Sequence, residues 1–116
     1  MKKDNVIKHK SFQFAIKIVE LYKFLSSSEK EFVMSKQLLK SGTSIGANVR
    51  ESEHAESKAD FIHKLSIALK EANETSYWLE LLKATGYLEN SDYLSLKNDV
   101  NEILRLLISI IKSAKR

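Results

Sequence analysis

The stretch that decides the fold is Lys36–Glu51, which reads KQLLKSGTSIGANVRE. Its flanks favour a helix, but small residues crowd its middle, and Gly42 and Gly46 stand four residues apart. A glycine inside a helix costs about 1 kcal/mol relative to alanine, so this pair indicates that another part of the structure comes close. We predict close helix packing at Ser41, Gly42, Gly46 and Ala47.

The size and composition of the chain suit one domain that spans residues 1–116. The chain has 43% hydrophobic residues and no proline, which is enough apolar material to bury a core. It has no cysteine, which excludes disulfides, thiolate nucleophiles and thiolate metal sites. The apolar run from residue 12 to residue 25 is interrupted by charges, so we expect neither a signal peptide nor a membrane span, and we expect a cytoplasmic protein.

Helix-capping signals divide the chain into four helical segments. Polar residues suited to helix starts precede each apolar run, namely Ser11, Ser28, Ser57 and Asn90-Ser91. Gly86 stands where a left-handed C-terminal cap is expected. The predicted helices lie near 11–26, 29–54, 58–85 and 91–114. Short connections favour antiparallel neighbours, so the sequence predicts an all-α, up-down four-helix bundle.

Two of these helices carry more apolar surface than one bundle can bury. The first is apolar over an arc of about 220°, and the third has a second apolar stripe edged by carboxylates. We therefore predict a homo-oligomer, because soluble monomers rarely expose patches of that size. The predicted interface residues are Phe14, Ile18, Leu21, Ile67, Glu71, Glu74, Trp78 and Leu82. The alternative is a monomer in which the first helix is central and Trp78 packs on a loop.

The second predicted helix has two unlike faces. An apolar seam of Met34, Leu38, Ser41, Ile45 and Val49 is suited to the core. The opposite face, here named the outer row, consists of Lys36, Lys40, Thr43, Ala47, Arg50 and His54. Cations separated by small residues and a hydroxyl are typical of a surface that phosphates approach. The alternatives are a solvated face, or a row that pairs with Glu71 and Glu74 of a neighbouring subunit.

Charge is distributed unevenly along the chain. The net charge is +4, but residues 1–50 carry +6, residues 51–102 carry −6 and the last fourteen residues carry +4. Such polarity suits a polyanion or charge-matched contacts between copies, and does not choose between them.

The pattern of residues does not favour an enzyme or a metal site. Glu51-x-x-His54 and Asp60-x-x-His63 have the spacing of di-metal ligands. Both fall at the connection between the second and third predicted helices, however, and no further glutamate on an apolar face completes a set. Arg50 and His54 are one residue too close to match the Arg-His spacing of bundle ribonucleases. Nothing else supplies acid-base or nucleophilic chemistry, so we expect no catalytic residues, no metal and no cofactor.

Four segments of the chain resemble a known family. They are Ser11–Ala15, Lys36–Glu51, Ser57–Phe61 and Lys70–Leu79, and together they resemble the small four-helix-bundle proteins encoded in 23S ribosomal RNA intervening sequences. The resemblance covers about residues 10 to 88. Many members have glycine after the residue that matches Glu51, whereas this chain has Ser52.

The resemblance implies an up-down bundle that assembles as a ring-like homopentamer, with no established activity. A related bundle, the accessory variability protein of diversity-generating retroelements, is similar in architecture and binds nucleic acid and a reverse transcriptase through a basic surface. A fold alone does not specify function, so these partners are an analogy.

Two functions follow as hypotheses. The first is a non-enzymatic homo-oligomer that binds RNA or DNA without strong sequence preference. Its predicted contacts are Lys36, Lys40, Arg50, Lys8, Lys10, Lys112, Lys115 and Arg116. The second is a structural or protein-interaction module whose charge asymmetry serves self-assembly or a protein partner.

Overall fold

The computed structural model describes residues 3–116, with side-chain surroundings from Asn5 onward. It contains four helices, α1 (Lys3–Ser27), α2 (Met34–Ser52), α3 (Lys58–Ala84) and α4 (Asn90–Ala114). Strands do not occur between residues 3 and 116. The predicted all-α fold class is therefore confirmed.

The four helices form one elongated bundle that measures 45 × 22 × 21 Å. Helix α1 packs against α2 and α4, and α3 packs against the same two helices. Each helix therefore has two neighbours, as in a four-helix bundle. Because α1 occupies a corner of the bundle, the alternative in which it is the central helix is wrong.

The core runs the length of the bundle and draws side chains from all four helices. It includes Leu38, Ile45 and Val49 of the predicted seam of α2 and one apolar stripe of α4, both of which recur every three or four residues. Its largest fully buried members are Ile7, Phe14, Ile18, Leu25, Leu38, Ile45, Leu65, Leu79, Leu82, Val100, Ile103 and Leu107.

Helix α1 begins at Lys3 rather than near residue 11. Ser11 lies inside the helix, where its hydroxyl donates to the carbonyl of Lys8 at 3.2 Å. The apolar pattern extends upstream of Ser11, because Ile7 is buried one turn before it. Burial of that additional turn explains why a serine that resembled an N-cap is an interior residue.

Helix α2 begins at Met34 rather than residue 29, and Ser28 does not cap it. The side chain of Glu31 caps it instead. Its carboxylate accepts hydrogen bonds from the backbone N–H groups of Val33, Met34 and Ser35, at 3.1, 3.1 and 2.7 Å. The prediction placed the helix one turn too early because Glu31 acts as the cap and not as a residue of the first turn. At its other end α2 stops at Ser52, two residues before the predicted end.

The boundaries of α3 follow the sequence signals closely. Ser57 caps its start by accepting a hydrogen bond from the Asp60 N–H at 3.0 Å. At its end Gly86 has φ +86°, and the N–H groups of Gly86 and Tyr87 donate to the carbonyls of Lys83 and Leu82. This pair of bonds is the Schellman motif, which places glycine in the left-handed position. Helix α4 starts at Asn90, although the residue at its N-cap position, Glu89, makes no side-chain capping bond.

The glycines of α2 were predicted to pack closely against another part of the structure, and both face α1. Gly42 is buried, and a Cβ atom built on it would lie 2.9 Å from Cγ1 and Cγ2 of Ile18. A Cβ on Gly46 would lie 3.5 Å from the carbonyl oxygen and the hydroxyl of Ser11. Close approach to α1 is therefore the physical reason for glycine at residue 42.

Ser41 and Ala47 were also predicted to pack closely, and the two differ. Ser41 is buried, and its hydroxyl accepts a hydrogen bond from Thr75 of α3 at 3.0 Å. Ala47 is exposed to solvent, so its assignment to close helix packing is wrong. Two residues after Ile45 and two before Val49, it points to the opposite face of the helix from the seam.

Candidate functional site

The outer row of α2 lies on the solvent side of the bundle. Lys36, Lys40 and Arg50 are exposed, and the structure places no carboxylate of residues 5–116 within salt-bridge distance of them. The same helix buries its seam against α1 and α3, so packing of the seam fixes the outward direction of the cations.

Thr43 contributes less to this surface than predicted. It is half-buried, and its hydroxyl donates to the carbonyl of Leu39 at 2.7 Å. A hydroxyl has one hydrogen to donate, and an intrahelical carbonyl holds it. The predicted hydrogen bond from Thr43 to a phosphate is therefore not available in this arrangement.

Two predicted cations of α1 are paired with acids elsewhere in the chain, one just after the end of α2 and one in α4. Lys8 lies 3.2 Å from a carboxylate oxygen of Glu53, and Lys10 pairs with Glu102. The hydrogen bond from Lys10 has the largest effect and lowers the pKa of Glu102. Burial opposes it, and the nearby charges of Lys10 and Arg105 lower the pKa further. Both lysines are therefore partly neutralised before any polyanion arrives.

The C-terminal cations lie at the end of the bundle where α3 begins. Lys112, Lys115 and Arg116 are all exposed, and the Lys58 ammonium donates to the backbone carbonyl of Arg116 at 3.1 Å. Lys36 is at the other end of α2, about 20 Å along the axis from Arg50 at 1.5 Å per residue. The predicted nucleic-acid contacts therefore spread along the bundle instead of forming one cluster.

Lys8 and Arg50 meet at a shallow groove between α1 and α2. The groove has a volume of about 290 Å³ and is lined by Asn5, Lys8, His9, Phe12 and Arg50. The guanidinium carbon of Arg50 lies 5.0 Å from the ring centre of Phe12, a cation–π contact. Sequence reasoning missed Phe12, because the contact joins residues on two helices and no periodicity within either helix reports it.

Three of the predicted interface residues are wrong. Phe14, Ile18 and Leu82 are almost completely buried, at 2%, 0% and 0% exposure, inside the core of a single chain. They have no surface left for a second copy. Helical spacing assigned these three residues to the excess apolar surface, because spacing within one helix does not show where the axis of the bundle lies.

The remaining predicted interface residues keep some exposed surface. Leu21 and Trp78 are partly buried and pack against the core, while Ile67 is half-buried and Glu74 is exposed. The Trp78 ring meets that of Tyr77 edge to face at 5.1 Å between centres. Its Nε1 atom is buried and has no hydrogen-bond partner within the described part of the chain.

Glu71 is half-buried beside Glu74, and Lys40 of the same chain influences its charge. Burial raises the pKa of Glu71, and the charge of Glu74 and its hydrogen bond to Glu71 raise it further. Lys70 and Lys40 act in the opposite direction. The outer row therefore lies within electrostatic range of this acidic pair in the same subunit.

The excess apolar surface of the chain lies at other positions than those predicted. Helix α1 exposes Phe12 and Ile16, one turn apart on the side that faces away from the core. The large apolar side chains that are 40–75% exposed are Phe12, Ile16, Phe24, Phe32, Val33, Tyr77, Leu94 and Ile108.

The described residues show neither a metal-binding cluster nor a membrane-spanning helix. Across the described residues, no three or more His, Asp or Glu side chains are grouped so that they could hold a metal ion. Asp60 instead accepts a hydrogen bond from the Glu56 N–H at 3.2 Å, next to the cap of α3. None of the four helices, over residues 3–116, combines the length and the hydropathy that a membrane crossing requires.

Comparison with known proteins places this architecture in a family. The family model described as 23S rRNA-intervening sequence protein matches residues 3–109. A crystal structure from Bacteroides thetaiotaomicron VPI-5482 is 67% identical in sequence, with a TM-score of 0.95, and the match covers 96% of this chain and 99% of that one. That structure is described as a protein with unknown function from the S23 ribosomal protein family. No curated protein matches this chain.

Proposed function

The chain belongs to the 23S rRNA-intervening sequence protein family, and on this premise we propose that it binds RNA or DNA as a non-enzymatic homo-oligomer. Binding uses a basic surface without strong sequence preference and takes place in the cytoplasm. Phosphate contacts from lysine and arginine supply affinity but carry no sequence information, so the preference for particular bases is weak.

The observation that carries this proposal is the state of the outer-row cations. Lys36, Lys40 and Arg50 are exposed, and no acid between residues 5 and 116 forms a salt bridge with them. Their charge is therefore available to a polyanion. The exposed cations at Lys112, Lys115 and Arg116 add to it, while Lys8 and Lys10 contribute less because Glu53 and Glu102 pair with them.

The test is the salt dependence of binding, measured by fluorescence anisotropy with a labelled single-stranded RNA. The logarithm of the affinity falls linearly with the logarithm of the salt concentration, by about 0.7 for each phosphate neutralised. Replacing Lys36, Lys40 and Arg50 together by Glu should weaken binding strongly and make the slope shallower by about 2.

A matched control separates a local surface from the overall charge. Lys23, Lys30 and Lys70 are exposed and lie outside the outer row, and their replacement by Glu changes the net charge by the same amount. The control variant should keep most of the affinity and slope of the wild type. Equal losses in both variants, or a flat salt dependence of the wild type, would remove the proposal.

We further infer that neighbouring helices run antiparallel. Between α1 and α2, Ile18 faces Gly42 and Ser11 faces Gly46. The residue numbers therefore rise along one helix as they fall along the other. Between α1 and α4, Lys17 pairs with Asp99 at 2.8 Å and Lys10 pairs with Glu102, so these residue numbers also run in opposite directions. These pairings support the up-down order.

The homo-oligomeric part of the proposal is supported by the exposed apolar side chains. Ile16, Phe24, Phe32, Val33 and Tyr77 are between 40% and 75% exposed in one chain. Contact between copies would remove this surface from water, which is favourable at about 25 cal/mol per Å². The number of copies, five, rests on the family resemblance.

Light scattering coupled to size-exclusion chromatography measures the assembly directly. A pentamer would have five times the 13.3 kDa mass of the chain. A stable 13.3 kDa particle at micromolar concentration would contradict self-assembly, and another multiple would contradict the pentamer alone.

The alternative function is an interaction module for proteins, and the same apolar side chains favour it. It predicts no affinity for nucleic acid at physiological salt. It also predicts that replacing Glu71 and Glu74 by Lys weakens the assembly, if these acids pair with the outer row of a second copy. Nucleic acid that co-purifies at low salt would support the leading proposal instead.

A further inference from the structure

We propose that the Phe12–Arg50 pair is a stacking platform for an unpaired nucleobase, so that the preferred ligand is single-stranded rather than duplex nucleic acid. This inference rests on the proposed function and specifies its ligand. It concerns the groove between α1 and α2 that Asn5, Lys8, His9, Phe12 and Arg50 line.

The first argument is the exposure of Phe12. Its side chain is 47% exposed, although the neighbouring helix-facing residues Ser11 and Phe14 are buried. An exposed ring presents a π surface, and base–aromatic stacking works for any base, because every base has a π face. The platform therefore supplies affinity without sequence preference.

The second argument is the position of Arg50. Its guanidinium group lies over the Phe12 ring at 5.0 Å instead of extending into solvent. Guanidinium planes also stack on bases, and single-stranded RNA is typically recognised by bases that stack on aromatic rings or arginine planes. An unpaired base can stack on the guanidinium group that lies over the ring, whereas the faces of a base inside a duplex are covered by its neighbours.

The third argument is the charge around the ring. Lys8 and His9 stand one helical turn before Phe12, on the same side of α1. Among residues whose side chains the structure describes, the lining of the groove includes no carboxylate, although Glu53 pairs with Lys8 at its edge. An apolar protein surface placed on Phe12 would desolvate the Arg50 guanidinium, which has no carboxylate partner among the described residues. A nucleotide instead offers a base to the stacked pair and a phosphate to Arg50. This difference separates Phe12 from the other exposed apolar residues.

The experiment compares a labelled 12-nucleotide single-stranded RNA with a 12-base-pair RNA duplex, both measured by anisotropy at several salt concentrations. The wild type should prefer the single strand. Phe12→Leu keeps an apolar side chain but removes the ring, and it should weaken single-strand binding by about 5-fold or more. The duplex affinity and the salt slope should not change.

Two further variants sharpen the result. Phe12→Tyr keeps an aromatic ring and should bind the single strand as the wild type does. Arg50→Lys keeps the charge but loses the planar group, so it should weaken single-strand binding more than duplex binding. Unchanged single-strand affinity in Phe12→Leu would overturn the proposal.

The outcomes distinguish this inference from the proposed function. If the wild type binds both RNAs and Phe12→Leu has no effect, then the platform is wrong and the basic surface stands. If the wild type binds neither RNA, both are wrong. If Phe12→Leu changes the mass of the assembly in light scattering, Phe12 belongs to a contact between copies and the platform is again wrong.

Discussion

Gly42 of α2 lies so close to Ile18 of α1 that a Cβ atom on Gly42 would come within 2.9 Å of two side-chain carbons of Ile18. The same residues are fully or almost fully buried, so neither can move into solvent to relieve the contact. The approach of α1 to α2 therefore depends on the absence of a side chain at residue 42.

Gly42→Ala should destabilise the protein. Alanine gains about 1 kcal/mol in helix propensity, but overpacking against the β-branched Ile18 costs about 1–3 kcal/mol, so we expect a net loss of about 1 kcal/mol. The free energy of unfolding in urea measures it. Gly46→Ala is the matched control, because its new Cβ would lie at an ordinary 3.5 Å from Ser11, and it should stabilise the protein by up to about 1 kcal/mol. Equal effects of the two substitutions would contradict this account of α2.

Glu31→Gln should lower stability and remove a pH dependence. Burial opposes ionisation of Glu31, but hydrogen bonds from the N–H groups of Ser35, Met34 and Val33 favour it more, so its pKa is lowered from 4.5. A lowered pKa means that this stability is fully present above pH 4.5 and is lost as the pH falls below it. At pH 7 the variant should lose about 1 kcal/mol, as for other N-cap replacements.

The control for Glu31 is Glu29→Gln in the same connection. Glu29 is exposed, so its replacement should leave the free energy of unfolding nearly unchanged. Urea denaturation of both variants between pH 3 and pH 7 tests this contrast. If Glu31→Gln retained the acid-dependent loss of the wild type, the cap would not be its origin.

Glu71→Gln should change the free energy of unfolding in the opposite direction to Glu31→Gln, so that it stabilises the protein. Burial first, and then Glu74, raises the pKa of Glu71 above 4.5, so the folded state favours the protonated form. Stability associated with that proton is present below pH 4.5 and is lost as the pH rises through the raised pKa. The variant should therefore gain less than about 1 kcal/mol at pH 7 and nothing at pH 3. A gain that persists at pH 3 would show that charge is not its cause.

Trp78→Phe should be nearly neutral, although Trp78 packs against the core. The substitution removes the buried Nε1–H group, which has no partner among the described residues, and an unsatisfied buried donor costs about 1–3 kcal/mol. That relief offsets the smaller ring, whereas Trp78→Ala should lose about 2–4 kcal/mol. A large loss in Trp78→Phe, measured by chemical denaturation, would show that Nε1 has an acceptor, for example in a second copy.

Much of the fold was readable from local signals. The seam of α2, the cap at Ser57 and the left-handed Gly86 each depend on residues within one or two helical turns, and the structure confirms them. The start of α2 was predicted wrongly from a local signal. Glu31 lies three residues after Ser28, which is the spacing of a capping box, but Glu31 caps the helix by itself.

The site was less readable for a physical reason. Outward-facing cations of α2 follow from its own periodicity, so Lys36, Lys40 and Arg50 were correctly placed on the solvent side. The other features depend on residues that are far apart along the chain. They are the Phe12–Arg50 contact, the pairing of Lys8 with Glu53 and the burial of Phe14 and Ile18. No pattern within one helix gives the rotation of its neighbour.

The sequence by itself determined that the chain forms four helices, the family resemblance and the basic face of α2, because each depends on residues that are close along the chain. Only the tertiary structure decided which apolar stripes are core, which lysines pair with carboxylates and which ring lies under Arg50. These depend on how each helix is turned about its axis, and packing of all four helices sets that angle collectively.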